Sequence, residues 1–175
     1  IQPGAVVIAL PRPNQPLWTL SVLWAGWLWG RETASSFKAM LRRRRYDWDW
    51  HAAALYAALK NLAPYLPLNA ELFAIVPELE PSFLTAVLLA ASEAGFDLSA
   101  LALRSRHDPL QAAWSRRVLA HPVKDEPDSE AVNAAMQNYL RARGEPVTYI
   151  HLHAAGLAAL AEQHALKWQK DVLPA

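Results

Sequence analysis

The strongest constraint on this chain is a repeated change of period. Three short, largely apolar runs, 5–10 (AVVIAL), 72–76 (LFAIV) and 98–103 (LSALAL), alternate with longer stretches at helical spacing. Runs of that length read as strands, and strands alternating with helices argue for an open α/β sheet. Pro3-Gly4 and Pro11 bound the first run, which is expected to be a parallel strand buried on both faces. Three strands and two crossovers make only part of a doubly wound domain. The expected fold is therefore a partial open, mostly parallel α/β sheet with a C-terminal helical segment. A strand this close to the first residue leads to the further expectation that half a domain is missing.

The connecting stretches give their own signals. Pro11, Pro13 and Pro16 with Asn14 and Gln15 are expected to form an irregular loop at the carboxyl end of the first strand. Residues 17–29 (LWTLSVLWAGWLW) carry no charge. They fall short of the roughly 20 residues that span a bilayer, so a buried helix or ordered loop is expected before a membrane anchor. A helix then runs from about Asp47 or Asp49 to Leu62, with Trp50, Ala54, Leu55, Ala58, Leu59 and Leu62 on one face. Pro77-Glu78-Leu79-Glu80 is the exit loop of the second strand, and Pro81 suits a first helical position. Residues 82–94 are apolar almost all round and predict a buried helix, stopped by Gly95 with Phe96 as its hydrophobic contact.

Residues 98–103, extended by 104–106, form the third candidate strand. After a turn at His107-Asp108-Pro109, residues 110–116 return antiparallel, with a short helix as the alternative. Residues 121–128 (HPVKDEPD) read as a linker. Ser129 is expected to cap a helix whose face is Val132, Ala135, Met136, Tyr139 and Leu140. Gly144 stops it, and Thr148 caps the next helix, about 149–164. The pair makes a helix-turn-helix unit without the third helix and wing of a winged-helix DNA binder. The expected division is 1–120 (with a Trp- and Arg-rich insertion at about 17–50), a linker at 121–128, and a helical segment at 129–175.

Charge and tryptophan are unevenly spread. Residues 1–60 hold eight Lys and Arg against three Asp and Glu, a net of +5, whereas residues 61–175 hold nine against thirteen, a net of −4. Six of the eight tryptophans lie in the first fifty residues. The absence of cysteine excludes a disulfide scaffold, a thiol nucleophile and cysteine-held zinc, and fits a reducing, cytoplasmic setting.

In open α/β sheets ligands bind beyond the carboxyl ends of the strands, which directs attention to Pro11, Arg12, Asn14 and Gln15 and to the loop holding Glu78 and Glu80. The amides of Asn14 and Gln15 suit a planar base. Arg42, Arg43, Arg44 and Arg45, flanked by aromatics, suit phosphate neutralisation beside base stacking, although a solvated loop reads equally well. Trp18, Trp24, Trp27 and Trp29 are candidates for the wall of the site, or for core. His151 and His153 stand two apart and face different directions on a helix, a poor metal pair. No pair of glycines has phosphate-loop or dinucleotide spacing.

The stretch Pro11-Arg12-Pro13-Asn14-Gln15, then Trp18-Thr19-Leu20-Ser21, then Trp24-Ala25-Gly26-Trp27-Leu28-Trp29-Gly30 resembles a group of proteins classed as DNA methylases. Arg42 to Arg45 with Tyr46-Asp47-Trp48 and Trp50-His51 continue the likeness, and Arg143-Gly144-Glu145-Pro146 onward resembles the helical segment that follows their core. The resemblance implies the C-terminal half of a class I S-adenosylmethionine-dependent methyltransferase fold, with 5–10 as its fourth strand, 72–76 as its fifth and the last two strands as a closing antiparallel pair. In amino-methylating members an acidic residue or Asn, two prolines and an aromatic follow the fourth strand and hold the target base. Here the stretch reads Ala9-Leu10-Pro11-Arg12, and Ala9 cannot accept the amino hydrogen bond. The resemblance therefore implies a chain that is inactive alone, binds no cofactor by itself, and contacts nucleic acid. The expected partners are nucleic acid, an N-terminal half or a second copy, and no membrane. A non-enzymatic assembly module using the Trp-rich segment and the C-terminal helices is the alternative.

Overall fold

The computed structural model describes residues 4–12, 15–36, 47–68, 70–103, 108–117 and 126–167, without the side chains of Gln15, Leu17, Trp18 and Ser36. These residues form two compact units, one of Ile1–Leu10 with Trp48–Ala175, the other Pro11–Asp47.

The larger unit is built on a four-stranded open sheet. Strands β1 (Ala5–Ala9), β2 (Glu71–Val76), β3 (Phe96–Ala102) and β4 (Leu110–Arg116) lie in the order β1-β2-β4-β3. β1 pairs parallel with β2, with Val7 opposite Phe73, while β4 runs antiparallel to both β2 and β3. Three of the four strands therefore point the same way, and the carboxyl ends of β1, β2 and β3 share one edge. The sheet confirms the α/β class, and 110–116 is the return strand rather than a short helix.

The strand sequences explain which face is covered. Leu72, Ala74 and Val76 of β2 stand opposite Trp114, Ala112 and Leu110 of β4, and all six are buried. Residues opposite each other share a face, so these pairs make one continuous apolar layer. Helices α3 (Trp48–Leu62) and α4 (Pro81–Glu93) and the C-terminal α6 (Tyr149–Glu162) contribute to the same core. Phe83 is fully buried; its ring stacks on Trp48 at 5.7 Å and meets His51 edge-on at 5.4 Å.

Local signals place most helix ends. Pro81 opens α4, and the Glu80 carboxylate accepts from the Phe83 N–H at 2.7 Å. Gly95 ends that helix at φ +90, a region that favours glycine. α5 (Ser129–Arg143) ends at Gly144 with φ 66, and α6 follows it as a hairpin. α6 packs on α4 and β3, so the helical pair belongs to the same unit as the sheet.

Several expectations are corrected. Among the described strands β1 lies at the edge, and with Val7 67% exposed it is not covered on both faces; of its residues Val6 and Ile8 reach the core. Its apolar composition is the same at an edge as at a centre, and sheet order is decided by β2 and β4. α3 buries Trp48, His51, Ala52, Leu55 and Leu59, whereas Ala54 and Ala58 are exposed, because its first turn finds Phe83. Phe96 is the first residue of β3 rather than only a capping contact. Asp128, not Ser129, caps α5, accepting from the N–H groups of Glu130 and Ala131 at 3.0 and 3.1 Å.

The smaller unit holds α1 (Gln15–Trp29) and α2 (Arg31–Ser36). Ala25 is buried and Gly26 approaches Ala34 closely, since an added Cβ would stand 3.3 Å from the Ala34 Cβ. Gly30 makes the turn at φ +90. The expected buried helix is a helix, but Leu20, Leu23, Trp24, Trp27, Leu28 and Trp29 are all exposed, Trp27 at 76%. Among the described residues of this unit the 15-residue apolar helix has one companion, the six-residue α2, which offers too little surface to cover it. Trp48 and Trp50 lie in α3, within the sheet unit.

Candidate functional site

The shared carboxyl edge of β1, β2 and β3 is where an open α/β sheet places its ligands. At the end of β1, Leu10 is buried and its N–H donates to the Ile75 carbonyl at 2.9 Å. The chain leaves through Pro11 and Arg12, both exposed. Asn14 and the side chain of Gln15 lie outside the described residues, as do Arg42, Arg43, Arg44 and Arg45 and the side chain of Trp18. Within α1, Trp24 and Trp27 meet edge-on at 5.6 Å, and with Trp29 they face outward from the smaller unit.

At the end of β2, Glu80 is committed to the α4 cap. Beside it the structure joins residues far apart in sequence. Thr85 Oγ1 donates to the Pro81 carbonyl at 2.9 Å and lies 2.9 Å from His153 Nε2. With its proton so engaged, the hydroxyl accepts from the imidazole N–H. His153 also stacks on Tyr149, with ring centroids 5.5 Å apart. Burial pushes the His153 pKa below its ordinary value, against the opposing pull of the Pro81 carbonyl and the Glu80 carboxylate, so the neutral ring is favoured. A cleft of about 210 Å³ adjoins this group, lined by Met136, Tyr149, His153, Gly156 and Leu157 among others.

A larger cleft, about 400 Å³, opens where the end of β3 meets the α5–α6 hairpin. Leu101, Ala102 and Leu103 form one side. Tyr139 and Arg143, one turn apart on α5, form another, and His151 with Ala154, Ala155 and Ala158 of α6 the third. Arg143 Nε donates to the Tyr139 hydroxyl at 3.3 Å, with the guanidinium carbon 5.8 Å from the ring centroid. That hydrogen bond is the main cause of a raised Arg143 pKa. His151 Nδ1 lies 2.8 Å from Thr148 Oγ1. His151 and His153 thus serve different clefts, as their two-residue spacing on a helix requires.

Sequence reading singled out neither cleft. Tyr139 entered only as part of an apolar stripe and Arg143 only within the segment 143–146, and Thr85 carries no local signal beyond its place in an apolar helix. No local pattern joins β3 to residues some forty positions later. Among the described residues no three side chains are grouped to hold a metal ion. No helix among them is long and apolar enough to cross a membrane. Among the described residues no glycine-rich strand-to-helix turn is present, β1 leaves through the apolar Leu10, and Glu80 is taken up in the α4 cap.

No protein-family model matches the chain, and neither a curated protein nor a solved structure matches it.

Proposed function

We propose that this chain is the C-terminal half of a methyltransferase-like fold related to DNA methylases, that it transfers no methyl group alone, and that it contacts nucleic acid. The observation that carries the reading is the segment leaving β1. Ala9 closes the strand, Leu10 is buried with its N–H spent on Ile75, and Arg12 is exposed. The positions that would hold a target amino group thus carry no side-chain acceptor and no aromatic. The sheet lends support: a parallel pair followed by an antiparallel closing pair is the arrangement the resemblance implies. So does β1, an apolar strand without charge or proline that has one neighbour, β2, among the described strands. Native sheets seldom leave such an edge unblunted, and further strands would cover it.

Nucleic-acid contact rests on the basic run Arg42, Arg43, Arg44 and Arg45 and on the Pro11, Arg12, Asn14 and Gln15 loop. An electrophoretic shift series against salt tests it. Replacing the four arginines by Ala is expected to weaken binding to DNA of any sequence and to flatten the salt slope, each lost phosphate contact lowering that slope by about one. Unchanged binding and slope would refute it.

The exposed apolar face of α1 favours a second reading, a non-enzymatic assembly module. Light scattering across a concentration series separates the two, since a monomer at all concentrations removes self-assembly through α1.

A further inference from the structure

We propose that the cleft between the end of β3 and the α5–α6 hairpin binds a small organic monocarboxylate, with the carboxylate on Arg143 and Tyr139 and the apolar body on the alanine floor of α6. The proposal does not depend on the methyltransferase reading.

Size is the first argument. About 400 Å³ lies in the range that holds small ligands, roughly 300–1,000 Å³. Charge is the second. Arg143 is a permanent cation, the described lining residues include no Asp or Glu, and among the described residues Arg143 is in no ion pair, although Glu145 is near enough to help raise its pKa. The described lining therefore offers a single cation, partly offset by Glu145, which matches a single carboxylate better than a phosphate dianion.

Donor geometry is the third argument. Arg143 gives its Nε–H to the Tyr139 oxygen, which leaves its terminal N–H groups and the phenol proton to donate. A carboxylate oxygen accepts from both, and bonds of this charge-assisted kind are about twice as strong as neutral ones. Thr148 holds His151 through Nδ1, and His151 supplies a further polar edge to the same cleft. The rest of the described lining is aliphatic. Ala154, Ala155 and Ala158 keep the α6 side low, and Leu101 and Leu103 close the β3 side, so an apolar body is desolvated as it enters.

The test is chemical-shift mapping and calorimetry on the full chain with phenylacetate as probe and inorganic phosphate as the second anion. Saturable shifts are expected at 101–103, 139–143 and 151–158, with phosphate binding more weakly. Arg143→Gln is expected to lose roughly tenfold or more in affinity. Arg141→Gln, whose guanidinium is held by Gln137 and Asn138 and does not line the cleft, retains it. Ala158→Leu, which fills the floor, also loses affinity. Circular dichroism reports that each variant is folded. No saturable shifts up to about 10 mM would overturn the proposal. So would equal affinity in folded Arg143→Gln, or phosphate binding tighter than phenylacetate.

Discussion

Replacing Thr85 with Val removes one hydroxyl from the junction of α4 and α6 and nearly preserves the side-chain shape. In the native chain that hydroxyl donates to the Pro81 carbonyl and takes the His153 N–H, both at 2.9 Å. Thr85 is buried and His153 half-buried. The Pro81 carbonyl has a second lone pair and loses least. The imidazole loses the hydroxyl partner and keeps only its contact with the Pro81 carbonyl, at a point where burial already disfavours charge. An unsatisfied buried donor costs about 1–3 kcal/mol. Partial access of water to His153 puts the loss in the lower half of that range, ~1–2 kcal/mol. Thr85→Ser keeps the hydroxyl and drops one methyl, about 0.8 kcal/mol. Urea unfolding followed by far-ultraviolet circular dichroism is the assay, because Trp24, Trp27 and Trp29 of the other unit would confuse fluorescence. At a slope of roughly 2 kcal/mol/M the Val variant shifts the midpoint down by about 0.5–1 M, further than the Ser variant. A Val variant as stable as the native chain, or more stable than the Ser variant, would refute the reasoning.

Other outcomes follow from the same geometry. Phe83→Ala empties a site enclosed by Trp48 and His51 and is expected to cost about 3–5 kcal/mol in the same unfolding assay. Asp128→Ala removes the acceptor for two N–H groups of α5 and is expected to cost about 0.5–2 kcal/mol, read as lower amide protection in that helix by hydrogen exchange. Because His153 takes up a proton less readily when folded, the unfolded chain binds more protons once pH drops below about 6.5. The contribution of His153 to stability therefore falls as pH drops through that value and levels off below the lowered folded pKa. His153→Gln is expected to remove this part of the slope between pH 7 and 5, and parallel profiles would contradict it.

Much of the framework was legible in the sequence where one local rule acts alone. Gly95 and Gly144 end helices at positive φ, Pro81 opens α4, and residues 110–116 form β4 as their pattern indicates. Local rules fail where neighbours decide. The run 5–10 reads the same at the edge of a sheet as at its centre, and nothing within it reports that β4 inserts between β2 and β3. The buried face of α3 was misplaced because Trp48 and His51 are drawn to Phe83, about thirty residues later. α1 has apolar residues on all sides, so no amphipathic pattern shows which of them face water. The functional geometry is the least local part. The Thr85–His153 bond and the Arg143–Tyr139 cleft are each assembled from elements that meet only in the folded sheet unit.

On the proposed reading these residues hold the closing part of a methyltransferase-like sheet but not the machinery of methyl transfer. Calorimetric titration of the chain with S-adenosylmethionine, followed by a labelled-methyl transfer assay on DNA, tests it most directly. No binding heat and no transferred label are expected, because Ala9-Leu10-Pro11-Arg12 offers no acceptor and the described residues offer no cofactor loop. Saturable micromolar binding with methyl transfer would contradict the account.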